Sequence, residues 1–227
     1  MKLQIKSLLI PAFTAFVYTS VAQGVTVVAG GNYTNIAYDQ GSGTGVEDTY
    51  KDKLGFHAGA YLDYVINKDR RQELVFETGL LFDSKGAKQE FQIGELNQQV
   101  VTNLFYIDVP FYLQYRYRFR NLNKIYAGIG PFVGFGLSGK ATSTQTLNGE
   151  SNEIQHKIKW GNDDENDVLK RYDYGVSARV GFYFDSGLDV SASYDYGIPN
   201  IASMGENIKM RSRVLRVSLG YTFSWAD

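Results

Sequence analysis

From Phe105 to Tyr117 the chain alternates. Phe105, Ile107, Val109, Phe111, Leu113, Tyr115 and Tyr117 fall on one side, and Asp108, Gln114 and Arg116 fall on the other. A period of two with one apolar side predicts a β-strand. Its thirteen residues exceed the usual strand length of about 5–6 and satisfy the roughly 9–11 that a tilted strand needs to cross a bilayer. The same alternation predicts strands over Leu54–Ile66, Leu74–Asp83, Ile125–Ser138, Tyr172–Phe184, Leu188–Tyr196 and Val214–Trp225, with a weaker one over Val25–Ile36. Nothing in the pattern supports a helix of ordinary length.

The segments between these strands alternate in size. Residues 67–72, 119–124 and 185–187 are short, whereas 39–53, 84–103, 139–171 and 198–212 are long and polar. Asn121-Leu122-Asn123 and Asp185-Ser186-Gly187 carry residues that short turns require. Tight turns at one end and long loops at the other, with an even strand count, are the layout of an up-and-down transmembrane barrel.

Periodicity alone does not separate a membrane barrel, apolar outside, from a soluble lipocalin-like barrel, apolar inside. The polar face does. It comprises Tyr126, Gly128, Gly130, Phe132, Gly134, Gly136 and Ser138, then Asp173, Gly175, Ser177, Arg179, Gly181 and Tyr183. Asp189, Ser191, Ser193 and Asp195, and Arg216, Ser218, Gly220 and Thr222, continue it. None of these is a lysine, whereas a water-facing sheet would carry lysines for solubility. Small residues, tyrosines and a few ions suit a narrow lumen. The opposite set, Ile125, Ala127, Ile129, Pro131, Val133, Phe135 and Leu137, carries no charge, as lipid demands.

At the N-terminus Lys2 and Lys6 precede an apolar stretch, Leu8 to Val21, and Ser20-Val21-Ala22 offers small residues for cleavage. This predicts a signal peptide over 1–22 and a barrel domain over 23–227. No other run is long and apolar enough for a transmembrane helix, so the strands must do the spanning. The formal charge of -1 and the absence of a basic stripe argue against a nucleic-acid partner. With Cys 0 there are no disulfides, thiol chemistry, cysteine zinc sites or lipidated cysteine. Aromatic content of 15% and Gly 24 suit interfacial aromatics and a crowded interior.

The final strand contains Ser218, Gly220, Phe223 and Trp225 in a polar-x-Gly-x-x-aromatic-x-aromatic pattern. It resembles the terminal signal read by the outer-membrane assembly machinery. Together with Phe76-Glu77-Thr78-Gly79-Leu80, Tyr106-Ile107-Asp108-Val109-Pro110, Tyr126-Ala127-Gly128-Ile129-Gly130-Pro131, Leu188-Asp189-Val190-Ser191-Ala192-Ser193-Tyr194 and Leu219-Gly220-Tyr221-Thr222-Phe223, it makes residues 25–225 resemble the PorT-like outer-membrane β-barrel proteins of the Bacteroidetes. These are similar in architecture to OmpX and the OmpA membrane domain. The resemblance implies a fold more than an activity; some members are implied in protein secretion.

Glu77, Asp108, Arg116, Arg179, Asp189 and Arg216 should all point into the lumen, where ions persist only when paired. A structural salt-bridge filling is expected there, with a narrow pore as the rival. His57, on the predicted lumen face, and His156, in the longest predicted loop, are the two histidines. Serines and acids are too plentiful to single out a triad, so no catalytic residue is assigned. Gly128-Ile129-Gly130 and Gly41-Ser42-Gly43-Thr44-Gly45 do not join a strand to a helix, as a phosphate-binding glycine loop must. Asp163-Asp164-Glu165-Asn166-Asp167 lacks the glycine and final glutamate of a calcium loop and is expected to be a solvated loop tip, with calcium binding or a bridge to lipopolysaccharide as the lesser alternative.

The expectation is therefore an all-β, eight-stranded antiparallel up-and-down transmembrane β-barrel in the outer membrane of a Gram-negative bacterium. It has no cofactor or metal, contacts outer-membrane lipid and the assembly machinery, and is structural or binds an extracellular or secretion-system partner through its long loops, 139–171 first. A narrow channel, an outer-membrane enzyme and a soluble periplasmic binding barrel are its rivals.

Overall fold

Each segment of alternating polarity forms a strand, and no helix occurs among the described residues. The computed structural model describes residues 22–40, 50–93, 96–147, 150–161, 167–203 and 208–224. The expected leader, but for Ala22, lies outside the described residues, as do Gly41–Gly45, Asp163 to Asn166 and Trp225.

Ten strands occur in chain order: β1 (Gly24–Gln40), β2 (Tyr50–Lys51), β3 (Lys53–Lys68), β4 (Gln72–Ile93), β5 (Leu96–Arg118), β6 (Lys124–Leu147), β7 (Glu150–Lys157), β8 (Tyr172–Tyr183), β9 (Leu188–Gly197) and β10 (Ile208–Ser224). Eight of them form a closed antiparallel ring, β1-β3-β4-β5-β6-β8-β9-β10. It is sealed by β1 on β10 from Gly24↔Ser224 to Gln40↔Ile208. Closure satisfies every ladder in the ring, which a sheet in hydrocarbon requires. The two remaining strands are short additions above the ring, β2 on β4 and β7 on β6.

Exposure settles which face points where. On the outer face Ile129 and Leu219 are 60% and 62% exposed, while Arg179 and Arg216 on the inner face are 1% exposed. An apolar outer surface around a charged, buried interior is the inverse of a soluble barrel. Aromatic contacts reinforce the outer band, with Phe82 stacked on Phe105 at 5.6 Å and Phe76 on Phe111 at 6.4 Å.

Four expectations need correction. Residues 84–103 are not a loop, because β4 and β5 run through them as a hairpin. Likewise 139–171 begins as β6, which continues to Leu147 before β7 returns. Beyond Lys88 on β4, and along residues 97–103, 141–147 and β7, the described residues are half-buried or exposed on both faces, so the apolar alternation that revealed the ring strands is absent. Ser138 faces outward rather than into the lumen. A bulge sets Phe105 opposite Ser138 and Tyr106 opposite Gly136, so Leu137 is the extra residue and the alternation of β6 changes phase there. Finally, the interior does hold a lysine, Lys85, which is 3% exposed.

Candidate functional site

The lumen holds the densest chemistry, arranged in layers. At the short-turn mouth Glu73 pairs with Arg118, and Lys124 donates to it at 2.8 Å. Above them Arg116 forks onto Asp63, with both guanidinium nitrogens at 2.8 Å from the two carboxylate oxygens. Arg116 also donates to Gln114 at 2.8 Å, and Gln114 donates to Glu77 at 2.7 Å. Arg179 pairs with Glu77, reaches Asp189 at 3.2 Å and lies 3.9 Å over the Tyr61 ring. The Tyr126 hydroxyl donates to Asp189 at 3.0 Å.

A second ionic layer is centred on Arg216, which bonds Asp83 at 2.8 Å, Asp108 at 2.8 Å and Asp195 at 2.6 Å. Lys85 joins it through Asp108 at 2.7 Å and Asp173 at 3.5 Å. Forked, charge-assisted bonds of this kind hold both geometry and charge. Between the layers Val28, Tyr61, Leu81 and Tyr112 form a buried apolar cluster.

The six ions expected in the lumen are all there, but in two groups. Glu77, Arg116, Arg179 and Asp189 belong to the lower layer, and Asp108 and Arg216 to the upper. Asp173 and Asp195, from the predicted polar face, join the upper layer, while Asp63, Asp83 and Lys85 belong to the layers and were missed. Asp63 has the parity of His57, and Asp83 and Lys85 have the parity of Glu77, so continuing the period along β3 and β4 would have found them. Of the terminal-signal residues, Ser218 is inside and Phe223 is exposed outside, packed on Tyr221 at 4.9 Å. A Cβ on Gly220 would stand 2.8 Å from Val28.

His57 bonds Asn32 at 2.5 Å through Nδ1 and Ser218 at 2.7 Å through Nε2, and Asn32 donates to Asp83 at 2.7 Å. A hydroxyl, an imidazole and an orienting amide in line are the parts of a nucleophilic relay. Here they are buried and tightly packed: a Cβ on Gly30 would stand 2.7 Å from the ring of His57. Ser218 is itself 5% exposed. His156 is exposed on β7, opposite Ala141.

Bulky side chains fill the rest of the lumen by lying over glycines. A Cβ on Gly181 would meet Tyr126 at 2.4 Å, and one on Gly136 would meet Trp160 at 2.5 Å. Trp160 belongs to an apolar lid over the long-loop mouth, in which Ile158, Trp160 and Val168 pack on Ile36, Ala87, Leu104, Tyr106 and Leu169. At the opposite mouth a vestibule of about 380 Å³, lined by Asp63, Glu73, Arg116, Lys124 and Tyr183, ends at the lower ionic layer.

Above the ring β2, β4, β5, β6 and β7 form an open sheet. Every residue of β7 is exposed, and among the described residues it pairs only with β6. Its other edge is free among the described strands.

Residues 21–203 match the family model described as outer membrane protein beta-barrel domain. No curated protein matches the chain. Solved structures similar to it include Ail, the attachment invasion locus protein of Yersinia pestis (16% identity, 89% of this chain and 100% of that one, TM-score 0.36). Others are OprG from Pseudomonas aeruginosa (12%, 90% and 97%, TM-score 0.43) and Neisserial surface protein A (12%, 88% and 97%, TM-score 0.37).

Proposed function

Because the chain belongs to the family of outer-membrane proteins with this β-barrel domain, we propose that it is a non-enzymatic, non-conducting scaffold in the outer membrane. Its barrel holds the sheet of β2, β4, β5, β6 and β7 above the surface for a protein partner. The observation that carries this reading is the contrast between a lumen filled by two ionic layers and strands that continue into water with a free edge at β7. Rigid scaffolds concentrate binding function in what they present beyond themselves. A free edge offers backbone donors and acceptors to an added strand. The resemblance to PorT-like proteins of the Bacteroidetes makes a component of a protein-secretion system the favoured partner class. Assembly machinery that recognises Ser218, Gly220, Phe223 and Trp225 is proposed as a transient partner during insertion.

A photo-crosslinking residue placed at Ile154 in intact cells tests this. The expected result is a discrete protein adduct from Ile154 and none from the same probe at lipid-facing Ile129. Adducts of equal yield and pattern at both positions would contradict it.

A further inference from the structure

The outward face of β5, β6 and β7 changes character where the apolar band ends. Phe105 and Leu137 are the band's outermost members on β5 and β6, and the next outward positions are Asn103, Ser138 and Lys140. Lys140 stands directly opposite Lys157 of β7, and both are exposed. Directly opposed side chains have Cβ atoms about 4.5–5.5 Å apart, and like charges there repel. Inward neighbours fix this direction, since a Cβ on Gly139 would meet Leu104 at 2.8 Å and Ile158 at 3.0 Å inside the lid.

No carboxylate offsets that repulsion among the described residues. Among the described residues neither lysine has an ion pair, and Glu153 on the same face accepts from Gln155 at 2.8 Å. Two further cations mark the same border, Arg171 at 5.8 Å over lipid-facing Phe135 and Arg213 at 3.5 Å over Tyr196. A cation extending from an aromatic at the edge of an apolar band is the posture of a side chain reaching for a headgroup.

We propose that Lys140 and Lys157 clamp a phosphate group of a phosphorylated glycolipid in the outer leaflet. The two ammonium groups supply up to six N–H donors, the phosphate supplies three oxygens and the compensating charge, and the Asn103 amide and Ser138 hydroxyl flank the pair. The acyl chains of the same lipid would lie along the Phe105 and Leu137 band below, so the surface fits a lipid rather than a dissolved anion.

The test uses the full chain refolded in non-ionic detergent and offered a bisphosphorylated glucosamine-disaccharide lipid, the same lipid stripped of phosphate, or inorganic phosphate. Native mass spectrometry reads the lipid bound per barrel. Affinity for the bisphosphorylated lipid should fall about 10- to 30-fold in the K140Q/K157Q variant. It should survive in K140R/K157R, which keeps the charge, and heat-modifiable gel mobility establishes that each variant is folded. Equal binding by a folded K140Q/K157Q variant, equal binding of the stripped lipid, or displacement by millimolar inorganic phosphate would overturn the proposal.

Discussion

Arg216 shows most directly how single residues hold this molecule together. It is the shared cation of Asp83, Asp108 and Asp195, so removing it leaves three buried carboxylates facing one another with only Lys85 nearby. Breaking a buried pair from one side costs about 3–5 kcal/mol because the remaining charge is uncompensated. Arg216→Ala should therefore lower stability by about that amount in urea unfolding from vesicles. Combining it with Asp83→Asn and Asp195→Asn should restore part of the loss. On the proposed non-enzymatic reading the hydroxyl–imidazole–amide line serves packing alone, so a Ser218→Ala barrel should still fold and show the same activity toward lipid or ester probes as the parent. Much of this scale was legible: Asp108, Arg116, Arg179, Asp189 and Arg216 were placed by parity alone. Their grouping into layers was not, because which carboxylate meets which guanidinium depends on strand register, and no strand contains its own register.

Among the elements, β4 and β6 each pass from lipid to water, and their chemistry changes with the solvent. On the lower part of β6 the outward Ile129 lies near mid-span, and Ile129→Arg should cost about 2–4 kcal/mol of folding stability in bilayers. In the upper part of β4, Glu90 is held by Lys51 of β2 and Lys88. Their hydrogen bonds and charges lower its carboxyl from the ordinary 4.5 to about 2. A depressed carboxyl contributes fully above its unfolded value and loses that contribution as pH falls through the folded one. The β2–β4 contact should thus persist through pH 4 and loosen only toward pH 2. Amide hydrogen exchange at Lys51 and Gln89 reads this, and an Glu90→Gln variant should show the loosened exchange already at neutral pH. The upper strands escaped the sequence reading for a physical reason. With water on both sides, Val100, Val101, Thr102, Thr142, Thr144 and Thr146 show strand propensity without the alternation that lipid and lumen impose.

At the scale of the whole molecule, the closed ring was readable from strand count and loop rhythm. The location follows from the family match and the apolar outer face, which put the barrel in the outer membrane of a Gram-negative cell. The number of obstructions along its axis was not readable. They are the Glu73 mouth, two ionic layers, a tyrosine-rich middle and the apolar lid carrying Trp160. Each arises from side chains far apart in sequence that meet only when the ring closes, as Asp83 and Arg216 do. An unobstructed aqueous path would leave those ions hydrated and their exposure high, whereas Arg179 and Arg216 are 1% exposed. The central claim is that this barrel is filled and holds its sheet in place without passing solutes. Single-channel recording of the purified, refolded chain in planar bilayers tests it most directly. The account predicts a flat baseline at moderate voltage from barrels shown to be folded by heat-modifiable mobility, and reproducible conductance steps of uniform size would contradict it.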